Sequence, residues 1–294
     1  MKVISIETGN FKLDGGAMFG VVPKSMWQSL NPADENNMCS WALRCLLVDE
    51  GDRKILIDTG MGNKQDARFF SHYYLHGTDT LQTSLAAHGY TPDDITDVIL
   101  THLHFDHCGG SIIRKDDQLI TAFPKATYWS NPLHWEWAIQ PNEREKASFL
   151  KENILPIKES GQLDFIDVPE PDMHPTHYLA NVPFSRHISL RIVHGHTRAM
   201  MLPQISIEGR NLVYMADLIP SANHIGLPYI MSYDLFPYTT LQEKKVFLRE
   251  AIENDYWLFF EHDIHTMCCN VQQTEKGIRK NKQGTIEDWL QSIG

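Results

Sequence analysis

Thr101-His102-Leu103-His104-Phe105-Asp106-His107, directly after the apolar run Val98-Ile99-Leu100, is the stretch on which the reading of this chain turns. It puts four metal-competent side chains, His102, His104, Asp106 and His107, within six residues at the end of a predicted buried strand. On extended chain, residues i and i+2 point the same way, so His102 and His104 can reach one ion together. Where the chain turns, Asp106 and His107 can face a second ion. Imidazole nitrogen and carboxylate oxygen suit zinc, and also manganese, iron or cobalt. For a lone histidine a polar surface loop is the better reading. For four such groups at this spacing it is not, because desolvating them together without a cation is costly. Gly109 and Gly110 follow and are expected to let the backbone turn tightly. Cys108 beside His107 reads as a small packed thiol rather than a ligand.

Outward from this stretch, two halves repeat one habit. Trp41–Val48 and Lys54–Ile57 form a predicted hairpin through Asp49-Glu50-Gly51-Asp52. A helix is expected over Thr80–Ala87, stopped by Gly89, and Thr91-Pro92 reads as a cap with proline in first position. A strand over Ala126–Trp129 and a helix over Pro132–Ile139 complete the first half. In the second, His187–Val193, Gln204–Ile207 and Leu212–Met215 read as strands, the last two joined by Glu208-Gly209-Arg210. Leu241–Asn254 is the clearest helix, Trp257–Phe260 a buried strand and Ile286–Ile293 a last short helix. Hairpins followed by helices, twice, predict two sheets packed together and covered by helices. The stretch from Gln140 to Pro183 is expected to be irregular and to run over the surface as part of a substrate wall.

Composition narrows the function. The 294 residues carry 37 acidic and 26 basic groups, a formal charge of −11, and 42% hydrophobic residues. That composition is globular rather than disordered. The densest basic stretch, Lys276 to Lys282, is short, so a nuclease starts from little of the positive charge that phosphate contacts demand. No run approaches the roughly 18–20 apolar residues of a membrane span, and Met1-Lys2-Val3-Ile4-Ser5 does not read as a signal peptide. Five cysteines (Cys39, Cys45, Cys108, Cys268, Cys269), odd in number and without a CxxC pair, are expected to be reduced thiols of a cytoplasmic protein.

His102-Leu103-His104-Phe105-Asp106-His107 resembles the HxHxDH signature of the metallo-β-lactamase superfamily. Leu56-Ile57-Asp58-Thr59-Gly60, Gly195-His196-Thr197, Tyr214-Met215-Ala216-Asp217 and Phe260-Glu261-His262-Asp263 are similar to the family's other motifs, in the family's order. The resemblance implies an α/β fold, a four-layer αββα sandwich of two mixed β-sheets flanked by helices, as a single domain over residues 1–294. It implies two divalent ions, zinc foremost. His102, His104 and His196 would hold the first, Asp106, His107 and His262 the second, and Asp217 would bridge them. Asp106 would also act catalytically by steering the attacking water and taking its proton, and Asp58 would orient a ligand loop. Family members often read GHTPGH, whereas this chain has Gly195-His196-Thr197-Arg198-Ala199-Met200, which implies a different loop beside the site.

Zinc β-lactamases of the family carry cysteine where this chain has Asp217, which disfavours antibiotic hydrolysis. The family's glyoxalases add a helical domain with basic glutathione contacts, and no counterpart of those contacts is expected here. The opening stretch Leu13–Lys24, with Trp27, resembles the subgroup of quorum-quenching N-acyl homoserine lactonases and methyl parathion hydrolase. Met18, Phe19 and Trp27 then either wall an apolar pocket or pack as core. Some lactonases of the subgroup place a tyrosine three residues after the bridging aspartate. Here that residue is Pro220, and His224, Tyr229 and Tyr233 are the candidate substitutes. The expected activity is metal-dependent hydrolysis of a lactone or other small neutral ester. A phosphotriester is the alternative substrate, and a non-catalytic metal-containing binding or sensor protein is the reading from another class. Expected partners are a small-molecule substrate and, in a homodimer, a second copy of the chain, with neither nucleic acid nor membrane.

Overall fold

The computed structural model describes residues 1–169 and 179–292. The chain forms two compact units, one of Met1–Phe11 and Ala42–Val168, the other of Lys12–Trp41 and Pro169–Gly294. No helix among the described residues is long and apolar enough to cross a membrane.

Eight strands arise in the first part of the chain: β1 (Lys2–Asp14), β2 (Met38–Asp49), β3 (Lys54–Ile57), β4 (Asp97–Ile99), β5 (Ile112–Lys115), β6 (Gln118–Thr121), β7 (Thr127–Ser130) and β8 (Leu163–Phe165). Six form a mixed sheet in the order β1-β2-β3-β4-β7-β8, and β5 pairs with β6 as a separate hairpin. The predicted β2–β3 turn is there: Gly51 takes φ +98° and its N–H donates to Asp49 Oδ1 at 2.8 Å. β3, β4 and β7 run parallel with Ile57, Ile99 and Trp129 in register. Their following loops therefore begin at one level, the carboxyl end of parallel strands, where α/β sheets place their ligands. The core beneath includes Leu56, Val98, Leu100 and Tyr128 from the strands and Leu81, Leu85, Ile154 and Ile157 from helices. Thr80 caps the helix Leu81–Ala87 in a reciprocal box with Thr83, and Gly89 at φ +81° ends it.

The second sheet takes the order β15-β14-β13-β12-β11-β10-β9, from β9 (Asn181–Pro183), β10 (Ile188–Val193), β11 (Met200–Ile207), β12 (Arg210–Tyr214), β13 (Trp257–Phe259), β14 (Cys268–Thr274) and β15 (Gly277–Gly284). β12 and β13 are parallel, with Tyr214 opposite Phe259, and the other pairs are antiparallel. Asp217 and His262 thus follow the ends of adjacent parallel strands. The helix Pro237–Glu253 packs on β14. Its buried face is Thr240, Glu243, Lys244, Phe247, Leu248 and Ala251, spaced for one stripe but with two charged residues in it.

Three expectations change. Gln140 to Pro183 is not irregular throughout, since it contains the helix Lys151–Glu159 as well as β8 and β9; residues 170–178 of it lie outside the described residues. Proline inside a helix removes one hydrogen bond, and Pro156 does so here while Asn153, Ile154 and Ile157 still bury a continuous face. The final helix is Ile286–Gln291, capped by Thr285, and Ile293 lies outside the described residues. Gly109 has an ordinary helical φ of −61°, so conformational freedom is not its role. A Cβ there would stand 2.1 Å from the Met61 carbonyl oxygen, and one on Gly110 would stand 2.1 Å from that of Thr59. The glycine pair permits close backbone approach, which lets Gly110 N–H reach Gly60 O at 2.9 Å.

Candidate metal centre

In the first unit the loop after β3 builds the loop after β4. Asp58 sits in the left-handed region at φ +56°, rare for a residue with a Cβ. Its buried carboxylate accepts from Thr101 N–H at 2.8 Å and from the Thr101 hydroxyl at 2.7 Å, and it faces His107 Nδ1 at 3.1 Å. Thr59 N–H donates to His107 O at 2.8 Å. The Thr101 hydroxyl hydrogen is used on Asp58, so its oxygen accepts from His102 Nδ1, 3.1 Å away. His102 and His107 therefore both carry their proton on Nδ1 and turn Nε2 into the lone-pair atom a metal needs. The rings of His102 and His104 lie 4.5 Å apart and those of His102 and His107 3.9 Å apart, while Asp106 Oδ2 is 3.9 Å from His107 Nε2. All four candidate residues of this run are buried.

Two neighbours of this loop are invisible in the motif. His104 Nε2 is 3.8 Å from the buried carboxylate of Glu145, which also accepts from Trp137 Nε1 and Asn142 Nδ2. Leu103 N–H donates to His134 Nε2 at 2.8 Å, so that buried imidazole is neutral and serves the loop backbone. Neither Glu145 nor His134 has a spacing that marks it in the sequence.

In the second unit the decisive group is Asp217. Its Oδ2 is 3.1 Å from His196 Nε2 and its Oδ1 is 3.3 Å from His262 Nε2. One carboxylate thus presents a different imidazole at each oxygen. Ligand atoms about 2.0–2.1 Å from a tetrahedral zinc lie roughly 3.3–3.4 Å from one another, so the donor set and both spacings fit ions shared across Asp217. His196 Nδ1 is held by Asp234 Oδ1 at 2.9 Å, and burial pushes the Asp234 carboxyl up from the usual range. The preceding backbone is anchored by Glu243, which accepts from His194 N–H at 2.6 Å and Gly195 N–H at 3.0 Å. Burial pushes its carboxyl up to about 8, against the two N–H groups that favour its charge. Asp263 holds the His262 loop by accepting from the N–H groups of Ala222, His265 and Thr266.

The candidates outside the ligand set resolve differently. Met18, Phe19 and Trp27 are core side chains, each at most 1% exposed. Phe19 stacks on Trp27 at 5.1 Å and on His224 at 4.7 Å. His224 is committed on both nitrogens: Nε2–H donates to Met18 O at 2.9 Å, and Nδ1 pairs with Ser221 Oγ at 2.7 Å. It is a structural imidazole and not a spare proton donor. Tyr229 packs edge-on to Phe19, whereas Tyr233 is exposed. Cys108 is a fully buried thiol that donates to Leu103 O at 3.3 Å, and burial pushes it up to about 12. All five cysteines are buried, and none of them is in a disulfide.

Burial pushes His224 down to about 3. The unfolded chain, with an ordinary histidine value of about 6.5, binds this proton while the folded chain does not. Stability contributed by neutral His224 is therefore complete above about pH 6.5 and is lost as pH falls toward 3. His224→Gln retains a donor for Met18 O and cannot titrate. Urea unfolding between pH 4 and 6 should show a pH slope for the variant shallower by up to one proton, about 1.4 kcal/mol per pH unit. Parallel slopes in the two proteins would refute the assignment.

The family model of the metallo-beta-lactamase superfamily matches residues 44–262. The N-acyl homoserine lactonase of Bacillus cereus is 28% identical over 142 residues, 45% of this chain and 50% of that protein. The N-acyl homoserine lactonase AiiA of Bacillus thuringiensis subsp. kurstaki is 29% identical over the same shares. The chain thus spans about half the length of the curated relatives it matches. Among solved structures, a probable metal-dependent hydrolase from Staphylococcus aureus is 26% identical, covers 97% of each chain and superposes with a TM-score of 0.84. AidC, a dizinc quorum-quenching lactonase in complex with a product, is 21% identical over 97% of this chain and 95% of its own, with a TM-score of 0.77. At that identity the second likeness is one of fold: mixed sheets with flanking helices.

Proposed function

From the premise that this chain belongs to the metallo-β-lactamase superfamily, we propose that it is a metal-dependent hydrolase of lactones or other small neutral esters. The observation that carries the reading is the geometry of Asp217, whose two oxygens each face a different histidine. His102, His104 and His196 would hold one divalent ion, Asp106, His107 and His262 the other, with Asp217 shared. The all-nitrogen-and-oxygen donor set favours zinc, with manganese, iron and cobalt as competitors. Two ions bound there acidify a water near neutral pH and polarise the scissile carbonyl.

The chain's own residues supply orientation and proton transfer. Asp58 and Thr101 fix His107 and His102 so that Nε2 faces the ligand position. Asp106, at the start of the short helix Phe105–Cys108, orients the attacking water and accepts its proton. Pro220 occupies the place where some lactonases carry a tyrosine, and its carbonyl instead accepts His262 N–H at 3.2 Å. With His224 committed to Met18 and Ser221, the leaving alkoxide takes its proton from elsewhere, and Tyr229 and Tyr233 remain the two candidates that carry a hydroxyl. The substrate class is supported by the lactonase relatives and by the net charge of −11, which repels polyanions.

A side-by-side measurement of kcat/KM for acyl homoserine lactones, simple lactones, aryl esters and phosphotriesters tests the substrate. Lactones are expected to be turned over fastest. A phosphotriester turned over faster would transfer the assignment to the alternative, and a thioester or nucleic acid preferred by orders of magnitude would sink it.

A further inference from the structure

We propose that Asp234 is a positioning residue for His196, and that the segment from Asp234 to Glu243 takes over the anchoring of this ligand loop. The inference rests on reading His196 as a metal ligand. The run after His196 lacks the second glycine and histidine common in the family, with Arg198-Ala199-Met200 in their place and Ala199 at φ +54°. Another part of the chain must then hold the loop, and the contacts show which.

Three sets of bonds converge on residues 194–196 from residues 234–243. Leu235 N–H donates to His196 O at 3.0 Å and Phe236 N–H to Gly195 O at 2.8 Å, a two-rung ladder that fixes the register of the two segments. The helix that begins at Pro237 then presses Thr240 onto Gly195, where a Cβ would stand 2.3 Å from the Thr240 hydroxyl and 2.4 Å from its backbone nitrogen. One turn later Glu243 takes the N–H groups of His194 and Gly195. Within this clamp, Asp234 Oδ1 meets His196 Nδ1 at 2.9 Å, with both side chains at most 2% exposed. A carboxylate on Nδ1 fixes the tautomer with its proton there, orients the ring, and makes Nε2 the more basic donor. Nε2 is the atom that lies 3.1 Å from Asp217. Asp234 lies outside the proposed ligand set and meets the Nδ1 edge of His196, so it acts through that ring.

The test compares the full-length wild type with Asp234→Ala and Asp234→Asn. Zinc stoichiometry and the two dissociation constants are measured by competition with a chromophoric chelator, and visible spectra are recorded for the cobalt-substituted proteins. The wild type should bind two ions. Asp234→Ala should weaken one of them by about 10–100-fold and shift the cobalt bands. Asp234→Asn retains an oxygen that accepts from Nδ1–H, so it should recover most of the lost affinity. Thermal melts separate positioning from folding, since a misfolded variant loses both ions together and its melting transition. Unchanged affinities and spectra in folded Asp234→Ala, or equal weakening of both ions, would overturn the role of Asp234 alone. A wild-type protein that binds no metal would overturn the reading of the centre itself.

Discussion

Asp217→Ala is expected to lower kcat/KM for lactone or ester hydrolysis by about 10³-fold or more, roughly 4 kcal/mol of transition-state stabilisation, and to strip metal from the protein. Each other candidate ligand would serve one ion. Asp217 alone has one oxygen beside His196 and the other beside His262, so its loss removes a donor from both positions. It would also remove one of the two carboxylates, with Asp106, that would offset two dications in a buried site. Asp217→Asn keeps one oxygen but loses the charge, and should fall between alanine and wild type. Cys108→Ser is the matched control from the histidine run: its buried thiol donates to the Leu103 carbonyl, a bond that a serine hydroxyl can also make, so activity should change by less than about tenfold. Steady-state kinetics with elemental analysis of each protein check the series. Full activity and two bound ions in Asp217→Ala would show that the centre lies elsewhere.

The parts of this site legible in the sequence are those whose partners are close along the chain. His102 through His107 announce themselves because strand alternation followed by a turn fixes their directions within a few residues. Asp58 was legible as an orienting group only through the motif around it, and its bonds to Thr101 and His107 bear that expectation out. Asp234, Glu243, Lys244, Glu145 and His134 leave no comparable mark. Their roles arise from chain approaches set by tertiary packing, and on a helix a buried Glu243-Lys244 pair reads as solvent-facing polar residues. The same limit explains the fold. Hairpins with local turns, such as β2–β3 and β11–β12, were readable. The long strand β1 was not, because residues 2–14 mix polar and apolar positions without a clean alternation and their pairing is decided by the sheet. Lys276 to Lys282 read as a basic stretch but lies within or beside β15, whose side chains are largely exposed. Pro156 concealed the helix Lys151–Glu159, where buried contacts outweigh the lost backbone bond.

Lys244→Met should be the most destabilising single change in the second unit outside the ligand set, by about 3–5 kcal/mol. The Lys244 ammonium is fully buried and donates to the carbonyl oxygens of His224 at 2.7 Å, Gly226 at 3.0 Å and Tyr229 at 2.7 Å. Its three hydrogens thus match three acceptors, and one helix residue closes a loop of the chain around itself. Burial pushes its amine down to about 7, but the three carbonyls reward the charged form and a neutral amine would turn a lone pair toward one of them. Methionine preserves most of the stem volume, so little of the loss comes from a cavity. What remains is the carbonyl oxygens of His224 and Tyr229 without the donor they had, each costing about 1–3 kcal/mol unless the loop opens to water, while Gly226 O keeps the N–H of Tyr229 at 3.0 Å. Opening would release His224 from Met18, so the loss of stability should reach the Phe19–Trp27 stack and show in the near-ultraviolet circular dichroism. Lys125→Met is the reference, because Lys125 pairs with Asp93 at 3.2 Å with both side chains at least 60% exposed, and it should cost under about 1 kcal/mol. Both variants lose one lysine charge, so their difference isolates the caged geometry. Urea unfolding gives the free energies, and a thermal midpoint lowered on the order of 10 °C should accompany the first. A cost for Lys244→Met no larger than that for Lys125→Met would mean that the three carbonyls find other donors and that the cage does not hold the loop.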